Sequence, residues 1–152
     1  SNVHHKMLPN KTYLMYSPFD FEVEITTNSM GYRGSEVGDR RADVYRIVML
    51  GDSFTLGEGV ADEQTFSYVL EGILNGSGGR RYEVVNLGIQ SYTPILEYLT
   101  LKAHIETLEP DLVIMNFDMS DLVGEYVFVR EAGVYDEDGN VVAVDGYPEY
   151  NK

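Results

Sequence analysis

The stretch Tyr45–Phe54, YRIVMLGDSF, decides how this chain folds. It opens with an apolar run that does not alternate with polar residues, and it closes on small turn-forming groups at Gly51, Asp52 and Ser53. Strands covered on both faces read this way. Two similar runs follow, Tyr82–Gly88 (YEVVNLG) and Asp111–Asp118 (DLVIMNFD). Between the first two, Phe66, Val69, Leu70, Ile73 and Leu74 recur at helical spacing and stop at Asn75-Gly76, which predicts an amphipathic helix. Between the second and third, Thr93 supplies an N-cap and Pro94 a first helical residue. Ile95, Tyr98, Leu101, Ile105 and Leu108 then form an apolar stripe that Pro110 closes. The pattern is β-α-β-α-β, and right-handed crossovers of that kind build a parallel sheet covered by helices, a doubly wound α/β layer.

Working outward, Val3 to Asp43 lacks helical periodicity and is rich in Tyr, Pro, Gly and Asn. Phe19, Phe21, Val23 and Ile25 alternate with polar partners, which predicts one half-buried strand. Asn28 to Gly34 reads as a turn and an irregular segment wrapped over something else. Residues 1–44 are therefore an N-terminal extension packing on a core at 45–123. After Asp121 periodicity fades. Val134-Tyr135 and Val141–Val144 flank Asp136-Glu137-Asp138-Gly139-Asn140, which predicts a hairpin within 124–152. That acidic loop is a plain turn, because a helix-loop-helix calcium loop needs its Gly in sixth place and Gly139 is fourth.

Composition bounds the chemistry. The 152 residues carry a net charge of −14 and no Cys, which excludes disulfides, thiolate metal sites and a cysteine nucleophile. The negative field repels phosphate backbones and anionic lipid, and the pairs Arg40-Arg41 and Arg80-Arg81 read as solvated loop charge, so no nucleic-acid partner is expected. No apolar run approaches the roughly 18 residues of a membrane helix. Ser1-Asn2 reads as a remnant of tag cleavage.

In an open parallel sheet, ligands sit beyond the carboxyl ends of the strands. Three segments meet there: Gly51–Phe54, Asn86–Ser91 and Asp118–Asp121. Ser53 falls at the strand-to-helix bend, where a hydroxyl can project and backbone N–H groups can face a developing oxyanion. That geometry suits acyl transfer.

At this point RIVMLGDSFTLGEGV, VVNLGIQSYT and PDLVIMNFDMSDL together resemble the first three sequence blocks of the SGNH hydrolases, also called GDSL esterases/lipases, over about Tyr45 to Val123. The segment SPFDFEVEITTNSMGYRG is also similar to an extension that precedes the Gly-Asp-Ser block in some bacterial members. The resemblance implies a three-layer α/β/α, flavodoxin-like fold. It makes Ser53 the nucleophile, with its own N–H as one oxyanion donor, and gives Asp52 the task of organising the turn. The family's Gly in the second block falls on Ser91, which keeps the N–H donor but adds a Cβ that disfavours positive φ. Its Asn in the third block falls on Ser120, whose hydroxyl can also donate over a shorter reach. No cofactor and no metal is implied.

The family's last block, Asp-x-x-His, has no counterpart among His4, His5 and His104. His104 falls inside the second helix pattern and reads as a helix-packing residue. Only three of the family's five strands are encoded, so the sheet is expected to be truncated, with an exposed third-strand edge open to self-association. The chain then reads as the N-terminal part of a longer serine ester hydrolase or O-acyl transferase acting on an acylated, carbohydrate-like substrate. It is expected to be inactive alone, and a bacterial envelope setting is favoured by resemblance. The alternative is a degenerate, non-catalytic binding module. A phosphate-binding flavodoxin-like protein is a third reading, but no G-x-x-x-x-G-K-[ST] or G-x-G-x-x-G is present.

Overall fold

The computed structural model describes residue 3, residues 5–119 and residues 121–145. In chain order its elements are strands β1 (Thr12–Ser17), β2 (Phe21–Thr26) and β3 (Val44–Leu50), a single-turn helix α1 (Ser53–Leu56), a 3-10 turn at Asp62–Gln64, and helix α2 (Phe66–Gly76). There follow β4 (Arg81–Asn86), α3 (Pro94–Leu108), β5 (Leu112–Met115), α4 (Asp121–Ala132), β6 (Gly133–Tyr135) and β7 (Val141–Val144). The protein is α/β, and its central sheet is parallel with order β4-β3-β5. Val48 faces Val85 on one side and Val113 on the other, with no exposed surface. The three non-alternating runs are the three strands of this sheet.

β3 is central because nearly every residue in it can be buried, each Val or Leu stabilising by about 1.5–3 kcal/mol. Arg46 is the exception in kind, buried within the strand. Its guanidinium donates to Glu83 Oε2 at 2.6 Å, to Leu108 O at 2.6 Å and to Gly38 O at 2.5 Å, so the burial of its charge is offset by three partners. The core continues through Leu50, Leu87, Leu96, Leu99 and Leu108, with Tyr32 reaching in from the N-terminal segment.

Both crossover helices form, but they bury only part of the apolar stripes read from their sequences: Leu108 is buried and Leu70, Leu74, Ile95 and Leu101 are half-buried, while the other stripe residues are exposed. In α2, Phe66, Val69 and Ile73 are exposed, and Ser67 is the buried residue. In α3, Leu96, Glu97, Leu99, Thr100 and Leu108 are buried while Tyr98 and Ile105 are exposed. A three-stranded sheet is too narrow to cover the whole apolar arc of either helix.

The extension contains two strands where alternation indicated one. β1 pairs antiparallel with β2 from Thr12↔Thr26 to Ser17↔Phe21, and Phe19 lies in the connecting turn, 96% exposed. The segment after Asp121 also differs from expectation, since a helix, α4, precedes the hairpin. Its Leu122, Val123 and Tyr126 are exposed, so it has no single apolar stripe to read. The hairpin itself is present as β6 and β7. In its loop Asp136 Oδ1 accepts from Asp138 N and Asn140 N, an acidic side chain used to close a turn. Of the Arg pairs, Arg40 donates through Nη2 to both Asp111 oxygens, Arg41 pairs with Asp43, and Arg80 lies over the Tyr45 ring at 4.7 Å. No helix among the described residues is long and apolar enough to cross a membrane.

The two sheet edges differ. On β4, Asn75 Oδ1 accepts from Tyr82 N, Asn75 Nδ2 donates to Tyr82 O, and Glu71 Oε2 accepts from Val84 N, so side chains of α2 occupy its outward groups. Among the described residues β5 carries no strand on its outer side, and its Leu112 and Met115 are 43% and 46% exposed.

Close backbone packing joins α1 to the loop after β4. A Cβ at Gly88 would stand 2.4 Å from Leu56 N and 2.7 Å from Thr55 C, both backbone atoms. Gly88→Ala is therefore expected to cost about 3 kcal/mol, because the helix after β3 would have to move. Gly72→Ala, where nothing lies within 4 Å in the exposed middle of α2, should stabilise by up to ~1 kcal/mol. Urea midpoints of the two variants check the contrast.

Candidate functional site

Hydrogen bonding continues past the strand ends and clamps three loops together. Leu87 N donates to Met49 O at 2.9 Å, Ile89 N to Gly51 O at 3.2 Å, and Asn116 N to Leu50 O at 2.9 Å. Thr55, fully buried in α1, lies where all three meet. Its Oγ1 accepts from Asn116 Nδ2 at 2.7 Å, and its carbonyl accepts from Asn86 Nδ2 at 2.7 Å. Asn86 Oδ1 accepts in turn from Gly88 N at 2.9 Å. Thr55, Asn86 and Asn116 were not singled out by the sequence reading, although a polar residue ending each of two buried strands is a signal that could have marked the Asn pair.

Ser53 is the first residue of α1 and is half-buried. Its hydroxyl makes no hydrogen bond among the described residues, while its carbonyl accepts from Gly57 N at 3.0 Å and Glu58 N at 2.9 Å. Asp52 is the N-cap, its Oδ1 accepting from Phe54 N at 2.9 Å, which is the turn-organising task expected of it. Gly57, at φ 85°, turns the chain out of α1. Arg33, 2% exposed, then fixes the exit by donating to Leu56 O, Gly57 O, Val60 O and Asp62 Oδ1. The extension thus holds the loop behind Ser53, a role that patterning alone could not show.

Ser91 is exposed and sits at φ 61° in the left-handed region. The backbone keeps the conformation a Gly would take there, and Ser bears the steric cost. Ser120 lies outside the described residues, as does His4. His104 packs edge-on against Tyr32, centroids 5.5 Å apart, and desolvation followed by the charge of Lys6 holds its pKa below the usual imidazole value. His5 reaches the loop beside Ser91: its Nε2 is 2.6 Å from Gln90 O, and its ring stands edge-on to Tyr92 at 5.1 Å.

Carboxylates crowd the same rim. One oxygen each from Asp52, Asp118 and Asp121 lie within 4.8 Å of one another. Burial raises the pKa of Asp52, the Phe54 N–H opposes that, and Asp118 and Asp121 raise it further. Behind them Glu97 is 1% exposed and neither carboxyl oxygen has a hydrogen-bond partner. Burial first, then Asp121, Asp52 and Glu125, push its pKa up to about 8. A cavity of about 340 Å³ opens at this rim, lined by Asp52, Phe54, Phe66, Asn116, Phe117 and Asp118. A larger groove, about 810 Å³, runs beside β4 between residues 33–41 and α2, and Ser53 and Ser91 do not line it. The smaller cavity is the one at the strand ends, where chemistry in this topology resides.

Two outcomes follow from this geometry. Ser91→Gly should raise stability by about 1 kcal/mol, read as a higher urea midpoint, since Gly occupies positive φ without strain. In metal-free buffer, Glu97 holds its proton in the native state up to about pH 8, whereas the unfolded chain releases it near 4.5. Native protein therefore binds more protons between those values, and stability should fall as pH rises through them, by up to about 1.4 kcal/mol per unit. Glu97→Gln should flatten that slope in denaturant titrations at pH 5 to 8.

The chain matches no protein-family model and no curated protein sequence. Among solved structures it is similar to AlinE4, an SGNH-hydrolase family esterase, at 22% identity and a TM-score of 0.47, over 55% of this chain and 45% of that one. That match spans less than half of AlinE4's length.

Proposed function

We propose that this chain carries the nucleophile of a serine ester hydrolase or O-acyl transferase, with Ser53 attacking the ester carbonyl. The observation behind this reading is the placement of Ser53: directly after the central strand, on the first residue of a capped one-turn helix, its hydroxyl uncommitted, between two residues that line the strand-end cavity. The block resemblance points to the same residue. Ser53 Oγ would bond to the carbonyl carbon as its proton passes to a base and the alcohol leaves, and water or a second hydroxyl would then take the acyl group. The N–H groups of Ser53 and Ser91, and the Ser120 hydroxyl, are the proposed oxyanion donors. Phe54, Phe66 and Phe117 give the cavity an apolar rim suited to the acyl part of a substrate such as an acylated sugar.

The base is the demanding part. His5 contacts the Gln90 carbonyl and His104 packs on Tyr32; in the family that the sequence blocks resemble, a histidine of an Asp-x-x-His block takes the proton, and that is the base this reading implies. A non-catalytic binding module is the second reading, and one observation favours it: three carboxylates beside Ser53 oppose the build-up of negative charge on a substrate oxygen.

Fluorophosphonate labelling of the protein expressed from its complete gene separates the two. Label on Ser53, lost in Ser53→Ala together with at least about 1000-fold of ester hydrolysis, is the expected result. A folded protein that takes no label at Ser53 would overturn the hydrolase reading.

A further inference from the structure

A buried acid that hydrogen-bonds to nothing calls for an explanation. Glu97 lies one helical turn after Thr93 on α3, and a Cβ on Gly124 would meet Thr93 Cγ2 at 2.6 Å, so that face of α3 packs on the first turn of α4. Asp121, itself 3% exposed, opens α4. The same face of α3 also buries the unpartnered Oγ1 atoms of Thr93 and Thr100, at i, i+4 and i+7 with Glu97. Among the described residues, every buried side-chain oxygen without a partner belongs to this one column. Glu97 feels Asp121 most strongly among its charged neighbours, then Asp52, then Glu125.

The geometry points to a hard divalent cation, of the calcium or magnesium class, held by Asp52, Asp118 and Asp121 at the strand-end rim, with Glu97 approaching from the buried side. Metal–oxygen bonds of 2.3–2.6 Å place ligand oxygens up to about 5 Å apart, and the three carboxylates already converge within 4.8 Å. Asp52 uses Oδ1 on Phe54 N and Asp121 uses Oδ2 on Asp118 N, which leaves the second oxygen of each for the ion. The donor set is all oxygen, with neither His nor Cys, which suits a hard cation over zinc or copper. A bound ion would screen the mutual repulsion of four acids and satisfy the one that burial leaves without a partner. It stands whether or not Ser53 is a nucleophile.

Purified protein, stripped with chelator and returned to 100 mM KCl, is titrated with CaCl2 and separately with MgCl2 while thermal unfolding and calorimetric heat are followed. At 10 mM of the preferred cation the melting temperature should rise by about 4 °C, with a saturable one-site isotherm. Asp118→Asn, at a residue on the cavity wall, should abolish the isotherm while leaving the circular-dichroism spectrum unchanged. Glu97→Gln should weaken binding at least tenfold. The inference is overturned if neither cation gives a saturable isotherm, or if Asp118→Asn responds as the parent does. It is also overturned if Glu97→Gln raises the melting temperature and leaves the cation response intact, since Glu97 would then be a buried protonated acid only. Fluorophosphonate labelling of Ser53 is scored separately, so either idea can fail without the other.

Discussion

Thr55 is the contact on which the rest of the molecule turns. It has no exposed surface, and three strand ends are tied to it: Leu50 through its carbonyl, Asn116 through its amide, and Asn86 through an amide on the Thr55 carbonyl. Gly51 and Gly88 lie against it because neither has a Cβ, which would stand 2.0 Å from Thr55 Oγ1 in one case and 2.7 Å from Thr55 C in the other. One threonine thus sets the mutual distances of the loops after β3, β4 and β5. Ser53, Asp52 and the carboxylates of the third loop inherit their positions from it.

How much of this is legible from sequence depends on where the determining force acts. The parallel sheet was readable because burial on both faces leaves a mark in composition: YRIVMLG, YEVVNLG and DLVIMNFD can be little else. The helices were readable as helices but not as to their buried faces, since the width of the sheet, which is not a local property, decides which part of the arc is covered. Phe66, Val69 and Ile73 looked like core and are exposed. α4 escaped because its apolar residues surround the axis, although Asp118 and Asp121 carried a cue. Asp121 Oδ2 accepts from Asp118 N three residues upstream, so an acid at the first helical residue closes the turn ahead of α4.

At the candidate site, the sequence singled out Ser53, Ser91 and Ser120 by resemblance, and it passed over Glu97, Arg33 and the Asn pair. Glu97 falls off the apolar stripe read for α3, where an acid is ordinary, and its burial near Asp121 depends on a residue 24 positions away in the chain. Arg33 is a similar case, since its four acceptors fall between Leu56 and Asp62 and only folding brings them near. Ser91 shows the opposite relation. Its side chain argues against positive φ, yet the loop adopts φ 61°.

The asymmetry of the sheet edges has a consequence for how this architecture can be enlarged. Asn75 and Glu71 act as plugs on the outward N–H and C=O groups of β4, so strand addition at that margin would first have to displace α2. Among the described residues the β5 margin has no such stopper. Any polypeptide that lengthens the sheet, whether grafted by design or acquired by descent, is therefore directed to one side only, and it arrives next to the acidic rim.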